Sequence, residues 1–196
     1  MKKITAILGA VSLTVLATIV HAQGKKGESD AAFERGDKVF GVGLGVGTAY
    51  TYYGSHSYSY SVLPALALIY DQGLIDKVGP GNIGIGGMVA WQQTNYKYGN
   101  GDKANWTNFY LGIRGTYHLT ILKEKNNHFD PYGGASFGMR VMNYNDTRYN
   151  ESYHTTYPTI GLFVGARYYF TPLFAAFAEV GYDVAVLKLG VNLRIK

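Results

Sequence analysis

Two short segments of the sequence carry the residue types that hydrolytic or acyl-transfer chemistry uses. Residues 55–57 read Ser-His-Ser, and His154 stands beside Thr155 and three residues after Glu151. A hydroxyl near an imidazole and a carboxylate can supply a nucleophile, a base and an acid. Both segments are also polar and rich in Tyr, Ser and Thr, a composition that is common in surface loops without any chemistry. We therefore predict no catalytic residues and keep an enzyme as an alternative.

Metal, cofactor and nucleotide binding have even weaker signals. The chain has five histidines and no cysteine, and no two histidines are spaced by two or four residues, as ligands on one face of a strand or helix would be. Residues 41–47 alternate glycine with apolar residues, but the strict period of two and the lack of a following helix argue against a phosphate loop. We predict no metal, no cofactor and no disulfide.

The charge of the chain does not indicate nucleic acid as a partner. The formal net charge is +5, but the only local basic clusters are residues 25–26 and the mixed segment 123–125. Such short runs are typical of solvated surfaces, whereas nucleic-acid binding needs a basic patch or stripe.

A period of two runs through most of the chain, and the last segment shows it most clearly. Its polar or small residues share one face and its apolar residues share the other: Ala185, Leu187, Leu189, Val191, Leu193 and Ile195. Such alternation predicts a strand. We predict eight strands, each near the length that crosses a bilayer at a tilt. They span about residues 38–50, 60–70, 82–92, 106–119, 131–143, 155–170, 173–183 and 185–195.

The second of these strands is ambiguous. Residues 60–70 are apolar on both faces, so alternation does not reveal which face points where. Pro64 lies within the strand, and because proline cannot donate a ladder hydrogen bond, we expect a local bulge there. The orientation of the second strand's side chains stays open.

The N-terminal residues have the features of a secretory signal. Residues 1–22 combine a basic start, an apolar stretch over 4–20 and small residues that suit cleavage,. Residues 23–37 are polar and mixed in charge, so we expect a flexible lead-in. The sheet domain then covers residues 38–196. No other stretch is long and apolar enough for a membrane helix.

Two closed sheets can be built from these strands. In a soluble ligand-binding barrel the apolar face points inward and the other face meets water. That other face is mostly glycine with isolated charges, and it lacks the Lys, Glu and Asp of a water-exposed sheet. In a membrane barrel the bulky face meets hydrocarbon and a few charges pair inside a narrow lumen. We prefer the membrane barrel.

The isolated charges are then expected in the lumen as an ion-pair network. The candidates are Arg114, Arg140, Arg167, Glu179, Lys188 and Arg194. Glu179 and Lys188, on neighbouring strands, are the first pair we expect, with Arg167 as a third member. Buried charges need such partners. A proton or ion path is a weaker alternative, because side chains fill most of an eight-stranded lumen.

Loops and aromatic residues fit the same arrangement. Loops at 51–59, 93–105 and 144–154 would lie outside the cell, and turns at 71–81, 120–130 and 171–172 inside. Aromatic residues concentrate near strand ends, where amphipathic rings favour the membrane interface. The expected outer belt includes Trp91, Trp106 and Tyr157, and the expected inner belt includes Tyr70, Tyr117, Tyr132, Tyr168, Tyr169 and Phe170.

With these features the chain resembles the small outer-membrane β-barrels of the OmpX and OmpA-transmembrane-domain type, over residues 38–196. The end of the chain resembles the family's assembly signal, with Lys188, Gly190, Leu193 and Ile195 at the expected spacing. The family usually closes on an aromatic residue, whereas here Lys196 follows Ile195. The resemblance implies an all-β, eight-stranded antiparallel up-and-down transmembrane barrel. It also implies location in a Gram-negative-type outer membrane and contact with barrel-insertion machinery and outer-membrane lipid.

For function, the resemblance and the loops lead to three alternatives. The leading one is a non-enzymatic, monomeric barrel whose Tyr-rich outer loops contact an extracellular partner, since Tyr, Ser, Gly and Asn suit adaptable binding. The others are a lipid-modifying enzyme of the lipid A deacylase or acyltransferase kind, and a narrow pore. The sequence does not identify the partner.

Overall fold

In the computed structural model, the described residues are 33–47, 59–99, 101–122 and 128–195. The residues of the proposed secretory signal lie outside them. The strands are β1 Lys38–Val46, β2 Ser59–Val62, β3 Ala65–Val78, β4 Gly81–Lys97, β5 Lys103–Leu119, β6 Phe129–Asp146, β7 Glu151–Tyr169, β8 Phe174–Tyr182 and β9 Leu187–Ile195. A short 3-10 turn, Thr120–Leu122, follows β5. None of the described segments is a helix long and apolar enough to cross a membrane.

The strands form one closed antiparallel ring. Apart from the short β2, each strand pairs with the next one along the chain, and β1 pairs with β9 to complete the circle. The short β2 pairs only with β4 and continues the line of β3. The ring therefore has eight positions, and the predicted eight-stranded up-and-down barrel is confirmed. The end with the connections at 79–80 and 170–173 is called the inner end; the end with those at 98–102 and 147–150 is the outer end.

Alternation along the strands decides what faces outward. In β1, Phe40, Val42 and Leu44 are 46–55% exposed, while the glycines between them are buried. The same holds in β9, where Leu189 and Val191 are exposed and Lys188 is buried. The apolar face points outward, as predicted for a membrane barrel.

The glycines of the inward face leave room for larger side chains. A Cβ added to Gly43 would lie 2.7 Å from the ring of Phe177, and one added to Gly190 would lie 2.5 Å from it. The Phe177 ring thus fills the space over two neighbouring strands. The alternating glycines of residues 41–47 belong to strand packing, as predicted.

The structure resolves the orientation of the second strand. Ala65, Ala67 and Ile69 are buried on the inward side, and Leu66 and Leu68 are exposed. The expected bulge at Pro64 is a full interruption, which separates β2 from β3. Proline at this position costs no ladder bond because it lies between the two strands.

Several strands are longer than predicted, so the loops are shorter. The loop expected at 93–105 is reduced to residues 98–102, and that at 144–154 to 147–150. The turn expected at 71–81 is mostly β3, with residues 79–80 as the connection. Alternating hydrophobicity fades where strands leave the membrane, but backbone pairing continues, as between Asn95 and Asn105. The alternation pattern alone therefore predicted strands that are too short.

The last strand begins later than predicted. Ala185 is fully buried and Val186 is 44% exposed, the reverse of the expected alternation. The carboxylate of Asp183 accepts hydrogen bonds from the backbone N–H groups of Val184 and Ala185. This turn shifts the register, so β9 starts at Leu187.

The aromatic belts are only partly as expected. Tyr168 and Phe170 are 47% and 63% exposed and face outward near the inner end. Tyr132 and Tyr169 are buried in the lumen. Trp106 shares the inward face of β5 with Tyr110, because even-numbered residues of this strand point inward,. The expected belts mixed residues from both faces because position near a strand end does not fix the face.

Candidate functional site

The lumen holds a set of buried charges. All six charged residues that the sequence placed there are at most 2% exposed, five basic and one acidic: Arg114, Arg140, Arg167, Lys188, Arg194 and Glu179. They project from β5, β6, β7, β8 and β9. Their partners define two clusters and a contact at the inner end.

The central cluster consists of Arg114, Glu179, Lys188 and Asp183. Glu179 accepts a hydrogen bond from Arg114 Nη2 at 2.6 Å and lies 3.1 Å from Lys188 Nζ. Lys188 also contacts Asp183. The hydroxyl of Tyr132 donates to Glu179 at 2.9 Å. One buried carboxylate is thus held by two cations and a hydroxyl.

The inner cluster consists of Arg167, Asp71, Asp130 and His118. Arg167 contacts Asp71 at 2.6 Å and Asp130 at 3.3 Å. His118 lies between the same carboxylates, at 2.8 Å from Asp130 and 3.3 Å from Asp71. The sequence expected Arg167 beside Glu179 and Lys188, whereas the structure places Arg114 there. The order of strands along the chain does not reveal which side chains meet across the lumen.

The remaining two cations each donate a hydrogen bond to a backbone carbonyl. Arg140 Nη2 donates to the backbone carbonyl of Asp183 at 2.7 Å. Arg194 lies 3.7 Å from Asp37 and donates through Nε to the carbonyl of Pro172 at 2.9 Å. Each is fixed by a residue outside the regular strands or at their edge.

The acidic partners were missed at the sequence level. Four acidic residues are at most 4% exposed: Asp37, Asp71, Asp130 and Asp183. The sequence pattern had assigned the first to the lead-in, the next two to turns and the last to the end of a strand. A signal was present: one glutamate cannot balance five basic residues in a narrow lumen, and an unpaired buried charge is costly. Asp71 also keeps the inward alternation of Ala67 and Ile69.

The last residues of the expected flexible lead-in are folded into the inner end. Phe33 is fully buried, and its ring stacks on His118 with a centroid distance of 3.8 Å. Its carbonyl accepts a hydrogen bond from Asn82 at 2.8 Å. Gly73 allows this close approach, because an added Cβ would lie 2.0 Å from the carbonyl oxygen of Glu34. Residues 33–37 thus close the inner end above Arg167.

Replacing Phe33 by alanine should loosen this closure without unfolding the barrel. We expect a loss of about 1–3 kcal/mol in the stability of the docked segment, since the ring's contacts with His118 are lost. Amide hydrogen exchange at Gly36, whose N–H donates to the Gly73 carbonyl, measures it. Unchanged protection there would show that the backbone bonds alone hold the segment.

A second group of residues lies at the outer end. Strands β4 to β7 have 17–19 residues, whereas β1, β8 and β9 have nine. β7 pairs with β8 only over residues 162–169. The outer parts of β4 to β7 therefore project as a wall, called here the outer wall (residues 92–97, 103–108, 142–146 and 151–157).

The tips of the outer wall are tied together by Asp146. Its carboxylate accepts hydrogen bonds from the hydroxyls of Tyr98 at 2.6 Å and Tyr144 at 2.7 Å, and from the backbone N–H of Arg148 at 2.8 Å. The hydrogen bond to Asp146 raises the pKa of Tyr98 to about 12. The guanidinium of Arg148 lies over the rings of Tyr98 and Tyr149. These contacts join the hairpin of β4 and β5 to the hairpin of β6 and β7.

A row of aromatic rings crosses the inner face of the outer wall. Trp106, Tyr144 and Tyr153 stand opposite one another on β5, β6 and β7. Their ring centroids are 5.0 and 4.8 Å apart. Tyr153 is 49% exposed, and Trp106 and Tyr144 are partly exposed. These three rings are called here the aromatic row.

The hydrolytic candidates do not assemble in the described part of the chain. His154 lies on the outward face of β7, while Glu151 and Thr155 lie on its inward face, because neighbouring strand residues alternate,. Residues 55–57 lie outside the described residues. Among those described, no group of three or more His, Asp or Glu could hold a metal ion.

Comparison with known proteins identifies the fold. No known family profile and no curated protein matches the chain. The outer membrane protein OprG from Pseudomonas aeruginosa matches with 14% identity and a TM-score of 0.57, over 84% of this chain and 98% of that one. Ail, the attachment invasion locus protein of Yersinia pestis, solved with the heparin analogue sucrose octasulfate, matches with 13% identity and a TM-score of 0.50, over 82% and 99%. The chain has the fold of the small eight-stranded outer-membrane β-barrels.

This fold gives the outward face its environment. The exposed apolar residues form the surface that contacts lipid in an outer-membrane barrel. Ile160, Leu162 and Val164 on β7 are 64–69% exposed. Such exposure of apolar side chains is favourable in hydrocarbon and unfavourable in water. The outward face is therefore the lipid-facing surface of a barrel with the outer-membrane fold.

Of the expected assembly signal, Lys188 points into the lumen and Ile195 is 46% exposed on the lipid face. Gly190 and Leu193 lie between them on β9. Recognition of this segment by the insertion machinery stays a prediction.

Proposed function

We propose that this outer-membrane barrel is a non-enzymatic, monomeric scaffold that uses its outer wall to contact an extracellular partner. The proposal rests on one observation: ion pairs between side chains obstruct the lumen. Arg167 on β7 reaches Asp71 on β3, and Arg114 on β5 reaches Glu179 on β8. Neither pair lies on neighbouring strands. These ion pairs span the lumen, which leaves the projecting wall as the surface for interaction.

The construction of the outer wall supports the same role. Its strands extend beyond the lipid-facing belt, although a barrel needs only about 9–11 residues per strand to cross a bilayer. The bonds to Asp146 hold the two hairpin tips in one arrangement before any partner arrives, and such preorganisation lowers the entropy cost of binding. One of the structural neighbours is named the attachment invasion locus protein, so we choose attachment as the assay.

The first test is conductance in planar bilayers. We expect no ion-sized current steps from the purified barrel, because buried ion pairs obstruct the lumen. Regular single-channel steps would contradict the scaffold role and favour the narrow pore. Mass spectra of lipid A from cells with and without the protein should be identical, and a changed acylation pattern would favour the enzyme.

The second test is attachment of cells to glass coated with serum proteins. Replacing residues 98–102 and 147–150 by short turns should reduce attachment, while altering the inner turn at 171–172 should not. Both variants must reach the membrane and show the heat-dependent gel mobility of a folded barrel. Equal attachment by all cells would refute the proposed contact surface for this class of partner.

A further inference from the structure

The aromatic row on the outer wall has the geometry of a ligand platform. Trp106, Tyr144 and Tyr153 are in register on three adjacent strands, with centroid spacings near 5 Å. Tyr144 is fixed from one side by its hydrogen bond to Asp146. Within the described residues, the indole N–H of Trp106 and the hydroxyl of Tyr153 have no hydrogen-bond partner. The row offers aromatic faces together with available donors.

The charges around the row indicate which ligands it can accept. No inward position of the outer wall in β4 to β7 is lysine or arginine. The charged residues there are Asp146, which already accepts hydrogen bonds from Tyr98, Tyr144 and Arg148, and Glu151 at the rim. Arg148 is stacked on two tyrosine rings in the turn above. A sulfated or phosphorylated ligand would find acidic groups near the row and no cation on the wall's inner face.

The other inward neighbours of the row are uncharged; Ala104 and Met142 are apolar and the rest are polar. The inward face of the wall also carries Thr94, Asn108 and Thr155, with amide and hydroxyl groups that can donate and accept. A purely apolar ligand would cover these groups without replacing their hydrogen bonds to water, which weakens binding. A sugar ring can satisfy both features. Its C–H face packs on an aromatic ring, and its hydroxyls bond to the amides and hydroxyls beside it.

We propose that Trp106, Tyr144 and Tyr153 form a binding site for a neutral oligosaccharide at the outer surface of the barrel. This inference rests on the proposed surface role and names the chemistry of the partner. Three consecutive rings in one row match an extended chain of sugar units better than a single small molecule. The rigid attachment of the two hairpin tips keeps the rings in place.

A single-tryptophan variant allows ligand binding at the aromatic row to be measured directly. The chain has two tryptophans, so Trp91→Phe leaves Trp106 as the only one, and its fluorescence reports on the row. The protein is kept in phosphocholine micelles, which carry no sugar head group that could compete. The probes are a neutral hexasaccharide (maltohexaose or cellohexaose), sucrose octasulfate, and the apolar dye N-phenylnaphthylamine.

We expect the neutral hexasaccharide to change Trp106 emission in a saturable way. Tyr153→Ala should weaken its binding about three- to tenfold (about 0.6–1.4 kcal/mol), since one ring contact is lost. Tyr168→Ala is the matched control: the two tyrosines lie on the same strand, with exposures of 49% and 47%, but Tyr168 lies on the lipid face near the inner end. It should leave binding unchanged.

Three outcomes would overturn the site. The first is that neutral hexasaccharides do not change Trp106 emission at any concentration up to their solubility. The second is that only the sulfated or only the apolar probe changes it. The third is that Tyr153→Ala and Tyr168→Ala weaken hexasaccharide binding equally. Unboiled gels verify that each variant is folded. If sugar binding fails but attachment still depends on the hairpins, the surface role stands with a different partner; if attachment also fails, the surface role fails separately.

Discussion

Replacing Glu179 by alanine should destabilise the barrel by about 3–5 kcal/mol, because removal of one partner leaves buried charges uncompensated. Glu179 is 1% exposed, and it contacts both Arg114 and Lys188. After the substitution, Asp183 remains near Lys188, but Arg114 loses its ion-pair partner among the described residues. Urea unfolding in phospholipid vesicles, followed by the mobility of unboiled samples on gels, measures the free-energy change.

A double-mutant cycle separates lost pairing from lost packing. Removing Lys188 alone (Lys188→Met) should also destabilise, but Glu179→Ala combined with Lys188→Met should cost less than the sum of the two, because the pair shares one interaction. The coupling should be about 0.5–3 kcal/mol. Additive losses would show that Glu179 and Lys188 act independently and that the central cluster is not a coupled network.

Replacing Leu162 by arginine should cost about 2–4 kcal/mol, the typical penalty for a cation on the lipid face near the bilayer midplane. Leu162 is 67% exposed. On a water-soluble barrel the same change would be nearly neutral, since exposed positions tolerate charge. The substitution therefore tests the membrane orientation of the strands directly, by the same unfolding measurement in vesicles.

The matched control for Leu162 is His154→Arg. Both residues lie on the outward face of β7, eight positions apart in the chain, but His154 is on the projecting wall beyond the apolar belt. The cost there should be about 0–1 kcal/mol, as for positions near or beyond the interface. Equal costs at the two positions would mean that the belt does not end where the structure indicates.

Strand alternation was sufficient to predict the barrel and its outward face. Phe40, Val42 and Leu44 alternate with glycines in the sequence, and bulky residues opposite glycine suit lipid on one side and a narrow lumen on the other. The same rule failed at strand ends. Asn95 and Asn105 carry no alternation of hydrophobicity, yet they pair in the ladder, because backbone hydrogen bonds form whatever the side chains are.

Correct side-chain pairing required the closed ring. Arg167 and Asp71 are 96 residues apart in the chain, and only the curvature of the barrel brings their strands to face each other across the lumen. The burial of Phe33 likewise depends on the space left by Gly84, where an added Cβ would lie 3.0 Å from its ring. No local pattern near Phe33 indicates this contact.

The sequence by itself determined the class of the protein, because a period of two and an apolar outward face are local properties of each strand. It also placed Arg114, Glu179 and Lys188 in the lumen. Only the tertiary structure decided which charged side chains meet. It also decided that residues 33–37 close the inner end of the barrel, and that Trp106, Tyr144 and Tyr153 form one row. These features depend on register and ring closure, which bring together residues that are far apart in sequence.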